Sequence, residues 1–120
     1  MTKAIHLINE RDGLSRKGLT KVADAQDTWR SCCWVLSRDD QDVLLGGWLY
    51  LHDSKGKPAS FAGRIIGFED AERVGAAIEQ GVAIVFQVRR DGRDRKWRGA
   101  SHGMAWSSGV IDADLPHEQV

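Results

Sequence analysis

The sequence predicts a β-rich α+β domain. The expected core is a small curved antiparallel or mixed sheet or barrel of roughly five or six strands, with one or two short peripheral helices. Three observations predict it. The stretch WLYLH, Trp48 to His52, alternates cleanly, which is the period-two signature of a strand. It is followed by a polar turn, DSKGKP, and a second long run, SFAGRIIGFE. VAIVFQVRR, Val82 to Arg90, is dense in the β-branched and aromatic residues that strands favour.

The chain has 120 residues, enough for one domain with a real core. Hydrophobic content is 42% and charged content 28%, with no internal repeat and no linker. Residues 1–120 therefore read as a single domain, with 113–120 as a loose tail. No apolar run reaches the ~18 residues of a membrane helix. The N-terminus, MTKAIHLINERDG, carries charge on both sides of a short apolar run. That argues against a secretory signal and for the cytoplasm. Net charge is zero, which argues against a protein that coats nucleic acid indiscriminately.

Each element follows in order. Ala4 to Ile8, AIHLI, is a plausible first strand, and the polar stretch with Gly13 and Gly18 reads as loop. Thr20 can cap one or two helical turns through Trp29. Ser31 to Ser37, SCCWVLS, is rich in strand formers, and the Asp39, Asp40, Asp42 run favours a turn or helix start that Gly46 and Gly47 close. Cys32 and Cys33 are neighbours, so in a strand they point to opposite faces and one serves as a small core residue. In Ser60 to Glu69, Gly63 and Gly67 fall on the face of Phe61 and Ile65 and suggest a bulge, a bend or close approach. DAERVGAAIEQG predicts a helix capped by Asp70 and ended by Gly81. Asp91-Gly92 predicts a hairpin with a return strand over Arg95 to Gly99. The expected core is Leu49, Leu51, Ile65, Ile66, Val82, Ile84, Phe86 and Val88.

Two features point to binding. Trp48, Tyr50 and His52 share one face of their strand, and Leu49 and Leu51 share the other. Planar side chains stack on bases, sugars or cations. If Gly63 and Gly67 curl the second strand across the first, that stripe borders a concave pocket suited to a flat, partly polar ligand. The alternative is an aromatic core layer beneath the helix expected at Asp70 to Gly81. The second feature is RRDGRDRKWR, with Arg89, Arg90, Arg93, Arg95, Lys96 and Arg98 against two acids. A basic hairpin tip of this kind can meet phosphates; the alternative is a solvated turn decorated with arginines, since exposed hairpin tips are usually charged. Of the five tryptophans, Trp29, Trp34, Trp48, Trp97 and Trp106, at least three are expected to be structural.

Catalytic and metal signals are absent by spacing. No histidine pair stands at i, i+4, and no CxxC, GxSxG, Walker A or GxGxxG motif occurs. No cofactor is implied. Three functions are carried forward: a module for RNA, DNA or a planar small molecule; a homodimeric assembly module; and a small hydrolase or nuclease using His52 or His102 with Asp53.

The order of elements from Gly46 to Glu69, WLYLH, DSKGKP, then FAGRIIGFE, resembles the central hairpin of the PUA-like superfamily, which includes the PUA, ASCH, EVE and YTH domains. VAIVFQVRRDGRDRKW is similar to a following barrel strand and hairpin in such domains, so the resemblance covers roughly residues 29–98. It implies a small curved β-barrel that binds RNA or flips a modified base into an aromatic pocket. By position the pocket lining is Trp34, Trp48, Tyr50, His52 and Arg64. The early segment lacks the tryptophan–serine/asparagine signature that an EVE domain shows near its start.

Overall fold

The computed structural model describes residues 2–9, 11–12, 15–16, 19–72, 80–99 and 107–113. The β-rich α+β expectation holds. Strand β1 (Lys3–Ile8) is followed by a two-residue pair, β2 (Arg11–Asp12) and β3 (Ser15–Arg16). Then come β4 (Leu19–Lys21), β5 (Thr28–Trp34), helix α1 (Arg38–Leu44), β6 (Trp48–His52), β7 (Phe61–Glu72), β8 (Gln80–Val88) and β9 (Ile111–Asp112). Seven of these strands form one sheet in the order β4-β5-β8-β7-β6-β1-β9. Among the described residues the sheet is open, a curved sheet and not the barrel alternative. All its pairings are antiparallel except β1 with β6, which run parallel from Ala4 opposite Trp48 to Ile8 opposite His52.

The core sits on both faces of β6, whose five residues are all buried. On one face Leu49 and Leu51 join Ile5, Leu7, Leu44, Ile65, Ile84 and Phe86. On the other, Trp48 and Tyr50 join Ala4, Ala59, Ala62 and Ala113. A strand covered on both sides needs apolar character at every position, which is why WLYLH interleaves leucine with large planar side chains.

Two bulges shape the sheet. In β7 the pairing steps from Ile65 opposite Phe86 to Gly67 opposite Val85, so Ile66 is extra. An extra residue reverses the alternation downstream. Ile65 is therefore buried while Ile66 is 53% exposed, and Phe68, opposite Ile84, regains the core face. This corrects two expectations: Ile66 is not core, and Gly67 does not share the face of Phe61 and Ile65. Val88 is half-buried against the core cluster. Gly63 is a point of close approach, where a Cβ would run into the Gln87 carbonyl and the Phe86 ring. Gly67 has open space.

In β5 the pairing steps from Ser31–Ile84 to Trp34–Val82. Cys32 and Cys33 fall in this irregularity and are joined by a disulfide across a cis peptide bond. Both are half-buried, so neither is the small core residue that a regular strand would have made of one of them.

Helix α1 begins as the aspartate run suggests. The Ser37 hydroxyl accepts from the Asp40 amide at 3.1 Å, and Asp39 and Asp40 occupy the first turn, where acids favour the helix dipole.

Three local expectations are corrected. Residues 20–29 form no helix: β4 pairs with β5, and Asp24 and Asp27 take left-handed backbone in the connecting turn. Asp70, Ala71 and Gly81 belong to the β7–β8 ladder, not to a helix; residues 73–79 lie outside the described residues. After β8 the chain makes a 3-10 turn at Arg90–Gly92, and Arg95 to Gly99 form no return strand. Gly92 packs so closely on Trp48 and Ala62 that a Cβ there would collide with Ala62. The chain is thereby steered across the sheet instead of back along it. Most of the tail, 114–120, lies outside the described residues.

Candidate functional site

The parallel pairing of β1 with β6 puts His6 beside Tyr50 and one step from His52. This face carries a continuous set of rings. Trp48 and Tyr50 stack at 5.9 Å between centroids with a 6° tilt, and His6 stacks on Tyr50 at 4.6 Å. His6, Trp48, Tyr50 and His52 have no solvent exposure. Trp97, half-buried, closes over both histidines at 5.7 Å and 5.2 Å. The Arg64 and Arg89 guanidiniums lie over Trp48 at 5.5 Å and 5.6 Å, near enough for cation–π attraction.

The expected stripe is therefore real, but it is enclosed. The predicted concave pocket beside Trp48, Tyr50 and His52 is corrected: no surface of these residues reaches solvent. The arm of residues 89–99 and the turn before β7 cover them, where a helix had been the alternative cover. Arg64 reaches the group, with its guanidinium also donating to the Gly46 carbonyl. Trp34 does not. It packs on the aliphatic side of the sheet, with Trp29, and donates to the Ser31 hydroxyl at 3.0 Å. Trp29, Trp34, Trp48 and Trp97 all contribute to packing, and Trp106 and His102 lie outside the described residues.

The two histidines are hydrogen-bonded to each other, His6 Nδ1 to His52 Nε2, at 2.6 Å. His52 Nδ1 lies 2.9 Å from the Lys57 carbonyl. A carbonyl only accepts, so His52 Nδ1 carries a proton and its Nε2 is the acceptor; His6 Nδ1–H then donates. His6 Nε2 is left as a buried lone pair with no hydrogen-bond partner among the described residues. Burial, then His52, then Arg98 push the His6 pKa down from 6.5 to about 3. Burial also lowers that of His52, against the opposing pull of the Lys57 carbonyl and Asp53. Both rings are neutral at ordinary pH.

Such a pair is poorly arranged for catalysis. Both nitrogens of His52 are already engaged, so it is not the free general base that a hydrolase would need, and Asp53 acts on it only through its charge. Among the described residues no group of three histidine, cysteine or acidic side chains could hold a metal ion. His6 escaped sequence reasoning because its significance depends on a partner 46 positions away. The one local signal was its place on the same strand face as Ala4.

The basic segment runs over the surface beside this group. Asp94 and Arg95 exchange backbone hydrogen bonds with Ala59, at 2.8 Å each. This joins the arm to the turn that carries Lys55 and Lys57. Arg90, Arg93, Lys96 and Arg98 are exposed and Arg95 is half-buried. Arg89 is also half-buried, 3.5 Å from Asp91, and the Arg98 guanidinium donates to the Asp112 carbonyl.

Two clefts of ≈ 430 and ≈ 440 Å³ flank α1 and share Arg38, Gln41 and Asp70. Neither touches the aromatic face. No helix among the described residues is long and apolar enough to cross a membrane. No protein-family model, curated protein or solved structure matches the chain.

Proposed function

We propose that this chain is a small binding module that grips the phosphate backbone of RNA or DNA through the arm of residues 89–98. The observation that carries the reading is the joining of that arm to the turn at residues 53–58. Backbone hydrogen bonds at Ala59 tie the turn that carries Lys55 and Lys57 to Asp94 and Arg95, on the arm that also carries Arg90, Arg93, Lys96 and Arg98. Clustered cations gain affinity for a polyanion by releasing its counterions. The aspartates of α1 stand on a different element, so zero net charge and a basic patch coexist. With Trp48, Tyr50 and His52 buried, the favoured contact is with phosphate and not with a flipped base. Relation to the PUA-like domains belongs to the same proposal.

Fluorescence anisotropy with labelled single-stranded RNA and DNA tests it. Binding should weaken with salt, with a log–log slope of about −0.7 for each phosphate contacted. The triple charge reversal Arg90→Glu, Arg93→Glu, Lys96→Glu should lower affinity at least about tenfold and flatten the slope. Absence of binding at low salt, or indifference to the reversal, would sink the reading.

A second reading, a homodimeric assembly module, is favoured by a different observation. The exposed large hydrophobics Val35, Val43, Leu45 and Ile66 lie in α1, at its two ends and on the neighbouring β7 bulge. Apolar residues gathered on a surface often mark a partner site. Light scattering across dilution, with Ile66→Glu as the disrupting variant, separates a dimer from a monomer.

A further inference from the structure

We infer that the His6–His52 pair is a proton-operated latch: when neutral it seats Trp97 against the sheet, and when protonated at His6 Nε2 it releases Trp97, between the anchors at Arg95 and Arg98, while the sheet stays folded. The inference does not depend on the polyanion reading.

The geometry leaves one place for an added proton. His52 Nδ1 already carries one, donated to the Lys57 carbonyl, and His52 Nε2 is occupied as acceptor from His6. His6 Nε2 is the remaining lone pair, and among the described residues nothing accepts from it once it becomes N–H. A buried donor without an acceptor is costly, and a buried imidazolium more so. The charged and titratable groups around the pair, among the described residues, are Tyr50 on β6, Asp53 and Lys57 in the next turn, Arg98 on the arm, and the Lys3–Asp112 ion pair at the sheet edge. Arg98 opposes a positive charge on His6, and so would a charged His52. Asp53 acts on His52 and not on His6. Ring stacking on Tyr50 offers a new cation only a fraction of what water does.

Water must therefore come to the charged ring, and the walls are unequal. Tyr50 and His52 belong to the buried sheet, whereas Trp97 is half-exposed and sits on a segment with no ladder pairing. Moving Trp97 breaks no strand–strand hydrogen bond. The sites that hold the arm on either side, Ala59 to Asp94 and Arg95, and Asp112 to Arg98, can serve as pivots. The proton comes from solvent, and only an N–H bond forms.

The test uses the whole chain labelled with 5-fluorotryptophan. The Trp97 resonance is assigned with Trp97→Phe, and imidazole nitrogens are followed by ¹⁵N NMR from about pH 7 to about pH 2. Far-UV circular dichroism runs in parallel. The expected result is a Trp97 ¹⁹F shift toward the exposed value that coincides with His6 protonation, while circular dichroism is unchanged. His6→Asn, whose amide can still donate to His52, should abolish the ¹⁹F transition. If that variant does not fold, the coincidence of the two titrations in the wild type decides. A Trp97 signal that stays constant through His6 protonation, that moves only with global unfolding, or that persists in folded His6→Asn would overturn the latch.

Discussion

On one face of β6, Leu49 and Leu51 pack among aliphatic side chains and Phe86; on the other, Trp48, Tyr50 and His52 meet His6, Trp97 and two arginines. Both faces are equally dry, but they are held differently. The aliphatic face depends on volume and area, which tolerate no gap and no excess. The aromatic face depends also on proton positions, because its polar atoms must be matched in pairs. One strand thus carries a face sensitive to shape and a face sensitive to protons.

The largest effect should come from overfilling the first face. Gly63→Ala would drive a Cβ into the Gln87 backbone and the Phe86 ring. Backbone cannot rotate away as a side chain can, so the expected loss is more than about 4 kcal/mol. Urea denaturation reads it; a loss below about 1 kcal/mol would show that β7 and β8 are less tightly joined there.

Acid should break the second face. The folded pKa of His6, about 3, lies below its ordinary value of 6.5. Between these values the unfolded chain binds more protons, so stability is complete above about pH 6.5 and declines as pH falls. The slope for one such group is about 1.4 kcal/mol per pH unit, and His52, lowered in the same direction, steepens it. Denaturation midpoints at several pH values should show the decline in the wild type and a shallower one in His6→Asn. A flat profile from pH 6.5 to 4 would mean the pair is not buried neutral.

The smallest effect marks where the aliphatic face ends. Ile66→Gln should change stability by no more than about 0.5 kcal/mol, while Ile65→Ala should cost about 2–5 kcal/mol. Reversal of that order would place the β7 bulge elsewhere.

The alternation of WLYLH and VAIVFQV made β6 and β8 legible, and Ser37 with its aspartates made α1 legible in outline. Each signal was local. The two ends of the helix expected over Asp70 to Gly81 are strand instead, because Asp70 and Ala71 pair with Val82 and Gly81, and cross-strand pairing outweighs helical spacing when a ladder is available. Asp91-Gly92 is a sound hairpin signal, but the Arg89 amide bonds to the Ala62 carbonyl and Gly92 seats on Trp48, which fixes a different turn. The stripe of Trp48, Tyr50 and His52 was visible. Its burial was not, because the ring that joins it, His6, and the arm that covers it with the turn before β7 are both distant in sequence.

The parallel seat of β1 on β6 has a consequence for how the chain folds. β6, β7 and β8 pair antiparallel with their neighbours in sequence, so they can assemble early. β1 must close a loop that brings His6 to His52, 46 positions on, and β9 then reaches Lys3 from 109 positions away. Such distant contacts come late because loop entropy is lost before they reward it. Ile84→Val should therefore slow refolding, and Ile5→Val should mainly speed unfolding. The histidine pair would be the last part of the core to exist and the first to be lost.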